Sequence, residues 1–249
     1  MLSHNENGAD ENVSGRKDRR VACFICLAVV LLCGIMALAD GVLGLPYIPK
    51  SALKLVLFLA FPLICGRFSK ELSPIEFLRL PPKGDKRQRA VIIWSAAAGA
   101  VLYVAILVGY FLLRGVVDFS GITTSLAEGE GITRDTFPLA AAYITLCNSF
   151  VEELFFRGFA FLALERAVGR RFAYAFSAAA FSVYHAAILD GWFSPLIFVL
   201  MLAGLFAGGL IFDFLADKSR TVYPSWFLHM AANLGINTIG LILFGIIGG

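Results

Sequence analysis

The chain has 249 residues, of which 59% are hydrophobic and 16% charged, against about 25% charged in an ordinary soluble domain. With a mean hydropathy of +0.79, this composition excludes a soluble globular protein and points to an integral membrane protein. The formal net charge of +3 is too small to imply a nucleic-acid partner, and none is expected.

Residues 1–20, MLSHNENGADENVSGRKDRR, hold too few apolar side chains to offset the entropy of ordering, and a disordered leader is predicted there. A hydrocarbon core of about 30 Å needs about 20 apolar helical residues. Seven apolar runs follow the leader, at 21–39, 52–65, 90–113, 136–164, 172–189, 193–215 and 223–247. The second run is short and carries Lys54. The expected fold is therefore all-α and polytopic, with about seven transmembrane helices in one domain, residues 21–249. A competing reading makes the first run a signal peptide cleaved after Ala39, which leaves the remaining topology unchanged.

Loop charges test this map. With the N-terminus inside, the cytoplasmic segments hold sixteen of the 21 basic residues, including Arg67, Lys70, Arg79, Lys86, Arg166, Arg170 and Arg220. The outside segments hold only Lys50, Arg114 and Arg134. The positive-inside rule expects this asymmetry. Basic loops such as PPKGDKRQR suit anionic lipid headgroups. Cys23, Cys26, Cys33, Cys65 and Cys147 all fall in apolar runs and read as small packing residues rather than a disulfide framework.

The fourth run contains FVEELFFRGF, with Glu152, Glu153 and Arg157 in a strongly apolar setting. One ionisable group at a bilayer centre costs roughly 2.5–3.5 kcal/mol on the lenient insertion scale. Glu153 and Arg157 are four residues apart, share a helix face and can neutralise each other. Glu152 lies about 100° around the helix and is left over. Two histidines lie inside other runs, His185 in the fifth and His229 in the seventh, while His4 lies in the leader. Asn148 shares a face with Glu152, and Asn233 shares one with His229. From the run ends, Glu152 and His185 lie about 20 Å deep but His229 only about 9 Å, so the seventh helix starts deeper than drawn or opens into a cavity. Phe155, Phe156, Phe159 and Phe181 read as core and lipid contacts.

E-E-x-x-x-R (Glu152, Glu153, Arg157), F-x-x-x-H (Phe181, His185) and H-x-x-x-N (His229, Asn233) occur in that order, each on its own predicted helix. Together they resemble the motifs of the CPBP family, the CAAX proteases and bacteriocin-processing or abortive-infection proteins. The resemblance implies a glutamate-dependent intramembrane endopeptidase of a prokaryotic plasma membrane. Its core would be residues 135–249, with a pocket among helices 4, 5 and 7 that opens to the cytoplasm. It also implies Glu152 as general base, His185 holding the same water, His229 and Asn233 as oxyanion donors, and Glu153–Arg157 as a brace. Residue chemistry agrees, since a carboxylate beside a histidine can deprotonate water and a His–Asn pair can stabilise an oxyanion. No metal or other cofactor is expected. Zinc on Glu152, His185 and His229 is the chemical alternative. The expected partners are membrane lipids and a membrane-associated peptide or protein substrate. A transporter or proton relay, or an inactive scaffold, would use the same buried groups.

Overall fold

The apolar runs become helices, and no strand occurs among the described residues. A computed structural model describes residues 6–248, with side chains from residue 18 onward. Leader residues 1–5, with His4, lie outside the described residues. Helix α1 spans Glu6–Gly41, so the backbone is helical well before residue 21, and its membrane-suited part is Asp18–Gly41. Helices α2 (Tyr47–Phe68), α3 (Lys86–Leu113) and α4 (Phe137–Val168) follow. Then come α5 (Arg170–Tyr184), α6 (Pro195–Ser219) and α7 (Tyr223–Leu243).

Six of these are long and apolar enough to cross a membrane, all except α5. Helix α5 has 15 residues, about 22 Å at 1.5 Å per residue. The fifth expected run continued to residue 189, but the helix stops at Tyr184. Hydropathy stays high through Ala186–Leu189, yet these residues form turns that lead to Gly191 at φ +75°. Helix α2 is long enough despite Lys54, because the helix extends past both ends of the apolar run.

Local chemistry sets several boundaries. The Asp85 side chain accepts from the Gln88 N–H at 2.9 Å and caps α3. Gly169, at φ +84°, makes the sharp turn between α4 and α5, a backbone region that glycine enters without a Cβ penalty. Pro195 occupies the first turn of α6, where its missing N–H costs nothing.

Polar contacts sort the loops into two ends. At one end Arg166 meets Glu76, Arg170 meets Asp217, and Arg220 meets Glu165 at 2.6 Å. At the other, Lys50 meets Asp40 and Glu130, and Arg134 donates to the Gly245 carbonyl at 2.9 Å. These are the same two groups of loops that the charge distribution assigned to opposite sides.

Helices α5 and α6 run antiparallel in close contact. Gly209 makes this approach, since a Cβ there would lie 3.0 Å from the Ala178 Cα. Substituting Gly209→Val should force the helices apart, and overpacking typically costs about 1–3 kcal/mol. Thermal unfolding in detergent should show a lowered Tm; an unchanged Tm would mean that the contact is not tight.

Candidate active site

Glu152 and Glu153 sit on one α-helical turn, Ser149–Glu153, between two π-helical stretches, Ile144–Asn148 and Leu154–Ala163. A third π stretch, Leu55–Ala60, begins directly after Lys54. π-helical turns are rare and concentrate at functional sites. The two carboxylates face different neighbours, as their angular separation requires.

Glu153 is fully buried and faces α7 and α6. Its Oε1 accepts from Arg157 Nη1 at 3.2 Å and lies 2.9 Å from His229 Nδ1. The expected Glu153–Arg157 pair is therefore present, and it also holds a histidine. Arg157, also fully buried, donates through Nη2 to the Gly209 carbonyl at 3.3 Å, and its Nε lies 3.4 Å from Asp213 Oδ1. Asp213 in turn accepts from Ser177 Oγ at 2.9 Å. The guanidinium sits 4.3 Å from the Phe181 ring centroid and 4.9 Å from that of Phe212, distances at which a desolvated cation is attracted to an aromatic face.

Glu152 is 2% exposed and is not left over. Lys54 Nζ donates to its Oε1 at 3.0 Å, and Asn148 Nδ2 donates to the same oxygen at 3.0 Å. Lys54 also donates to Asn148 Oδ1 at 2.7 Å. The unpaired carboxylate expected from sequence is corrected here by an ammonium from α2. The other oxygen, Oε2, is buried and makes no hydrogen bond among the described residues. It faces His185 Nε2 and His229 Nε2, each at 3.7 Å. That separation is too long for a direct hydrogen bond and suits a bridging water or substrate group.

Both ring orientations are fixed from behind. His185 Nδ1 lies 2.7 Å from the Phe181 carbonyl oxygen. A carbonyl only accepts, so Nδ1 carries the proton and the neutral ring presents an accepting Nε2. His229 Nδ1 faces the Glu153 carboxylate, which on the same reasoning receives its N–H. His185 follows the last residue of α5, and the early end of that helix sets its ring beside Glu152.

The sequence-based depths put His229 about 11 Å from the level of Glu152; the structure brings the two side chains to 3.7 Å, and the start of α7 is covered by protein. Thr221 and Val222, just before α7, are fully buried. Thr221 Oγ1 donates to the Phe77 carbonyl at 2.7 Å, so the segment around Phe77 covers the helix start. Asn233 lies one turn beyond His229 and donates through Nδ2 to the Ile144 carbonyl at 3.2 Å, joining α7 to α4. Phe155, Phe156, Phe159 and Phe181 are all buried, and Phe155 stacks on Phe58 of α2 with centroids 4.0 Å apart. They are core residues, as expected, and Phe181 additionally lies under both Arg157 and His185.

Sequence reasoning missed two charged groups, Lys54 and Asp213. Each carried the same signal as Glu152, an ionisable residue within an apolar run. Lys54 counted against a membrane span rather than towards a site. Among the described residues, no group of three His, Cys, Asp or Glu is arranged to hold a metal ion.

Residues 134–235 match the family model of the type II CAAX prenyl endopeptidase Rce1-like proteins. The match covers 102 of the 249 residues. It contains all seven residues that the motifs singled out, and the resemblance to the CPBP proteases rests on the same stretch. Residues 1–133 of the chain, including α1, α2 and α3, lie outside the match. No curated protein and no solved structure gives a significant match to the chain. At the family level the Rce1-like match supports a CAAX-type endopeptidase within a multi-pass membrane protein.

Proposed function

We propose that this protein hydrolyses a peptide bond near the C-terminus of a membrane-associated, prenyl-cysteine substrate, with Glu152 as general base. The observation that carries this reading is the free Oε2 of Glu152 facing two histidine Nε2 atoms at 3.7 Å each. A water held there donates one hydrogen to Oε2 and the other to His185 Nε2. Glu152 takes the first proton as the oxygen attacks the scissile carbonyl carbon. The carbonyl becomes a tetrahedral oxyanion. His229, when doubly protonated, donates Nδ1–H to Glu153 and has Nε2–H left for that oxyanion. Collapse breaks the C–N bond, and the proton on Glu152 passes to the leaving amine. The second proton of the water reaches the same nitrogen by way of His185 Nε2, so the products are a carboxylate and an ammonium, and atoms and charge balance.

Asn233 is the second oxyanion donor in this scheme. Its amide already serves the Ile144 carbonyl, so it acts with one N–H engaged and one available. The positive-inside asymmetry supports a cytoplasmic N-terminus.

The mechanism assigns no role to a metal. Purified protein should keep cleaving a quenched peptide ending in prenyl-cysteine, two aliphatic residues and a C-terminal residue after treatment with a strong chelator. Elemental analysis should find no stoichiometric zinc. One zinc per chain, lost with activity on chelation and restored with it, would recast Glu152, His185 and His229 as ligands.

A further inference from the structure

Glu152 has two chemically different oxygens in this site. Oε1 accepts two hydrogen bonds, from Lys54 Nζ and Asn148 Nδ2, each at 3.0 Å. Oε2 accepts none among the described residues and faces the histidines. An isolated carboxylate on a helix can turn about its last torsion, which is broad and roughly two-fold. Here the two donors come from different directions, one from α2 and one from the preceding turn of α4, and they oppose that rotation.

The donors also hold each other. Lys54 Nζ donates to Asn148 Oδ1 at 2.7 Å, which fixes the Asn148 amide with its Nδ2 towards Glu152. The ammonium lies 5.3 Å from the Tyr184 ring centroid, and Tyr184 directly precedes His185. Lys54 is 9% exposed. It therefore touches Glu152, the helical turn before it, and the residue beside the water-holding histidine.

We propose that Lys54 and Asn148 form a clamp on Oε1 of Glu152 that positions Oε2 as the reacting oxygen. The proposal rests on Glu152 acting as general base. Lys54 lies outside the Rce1-like segment, at residues 134–235, so the clamp makes α2 part of the working site. Both are positioning residues: they act on water and substrate only through Glu152. A lysine is suited to this place because its compact ammonium has three donors on a flexible stem. It can reach two acceptors while keeping its bulk away from the side where substrate lies.

The test compares Lys54→Gln, Lys54→Arg and Asn148→Ala with the unmodified protein, all purified in detergent, on the prenyl-cysteine peptide. A reacting group displaced by about 1 Å can lose about 10²-fold in rate, and Lys54→Gln should lose kcat on that scale with KM unchanged. Asn148→Ala should lose about 10-fold in kcat, again without a change in KM, which is the pattern of an interaction used only in the transition state. Lys54→Arg keeps a cation beside Oε1 and should recover part of the loss. A wild-type kcat in Lys54→Gln, or a change confined to KM, would overturn the clamp. Should Lys54→Gln not fold, Asn148→Ala decides the matter, since it leaves the ion pair in place, and an unchanged kcat there overturns the clamp. An unmodified protein that leaves the peptide intact removes the endopeptidase reading and the clamp together. One that cleaves as fast without Lys54 removes the clamp alone.

Discussion

Glu152→Gln should insert and fold, yet cleave the prenyl-cysteine peptide about 10²–10⁴-fold more slowly, the usual worth of a positioned general base. The substitution keeps the shape of the side chain and an oxygen that can accept from Lys54 and Asn148. It removes the carboxylate that takes the first proton of the attacking water. Lys54 loses its counter-charge but keeps Asn148 Oδ1 at 2.7 Å, so the effect on stability should be smaller than the effect on rate. Measuring kcat alongside the thermal unfolding curve separates the two. Near-normal turnover by a folded Glu152→Gln protein would sink the mechanism.

The opposite pattern is expected one residue along. Glu153 is fully buried and is shared between Arg157 and His229. Removing one partner of a buried ion pair typically costs about 3–5 kcal/mol, because the other charge remains without compensation. Glu153→Ala should therefore lower yield and Tm sharply. It should also lower the activity of whatever protein folds, because His229 loses the acceptor that fixes its Nδ1–H. Asp213 softens the first effect, since its carboxylate is 3.4 Å from Arg157 Nε and still opposes the guanidinium. Unfolding assays on the two alanine variants decide between the residues. A Glu153→Ala protein of normal stability beside an unfolded Glu152→Ala protein would reverse the two roles.

The six charged and polar motif residues, and their distribution over the fourth helix, the end of the fifth and the seventh, were legible because such side chains stand out in apolar runs. The all-α architecture was legible from the same hydropathy. Helix ends were not. The fifth run remains apolar beyond Tyr184, but the chain leaves the helix there, and no hydropathy window registers that change. The closeness of His229 to Glu152 was missed for a related reason. The segment around Phe77 covers the start of α7, and that tertiary contact leaves no mark in the local pattern of either segment. Lys54 was visible in the sequence, but its relation to Glu152 was not. The two residues are 98 positions apart, on helices whose mutual orientation no local pattern specifies. Asp213 stood in the open in the same way and finds its role only when α6 packs on α4 and α5.

Hydrolysis of a peptide bond near a membrane-bound C-terminus places an oxygen from water in the product, which mass spectrometry of the prenyl-cysteine peptide detects after incubation with purified protein in water enriched in oxygen-18. The expected product ends at the prenylated cysteine, with one heavy oxygen in its new carboxylate, and is accompanied by the released C-terminal tripeptide. An intact peptide after incubation with folded protein, or a product cut elsewhere, would contradict it.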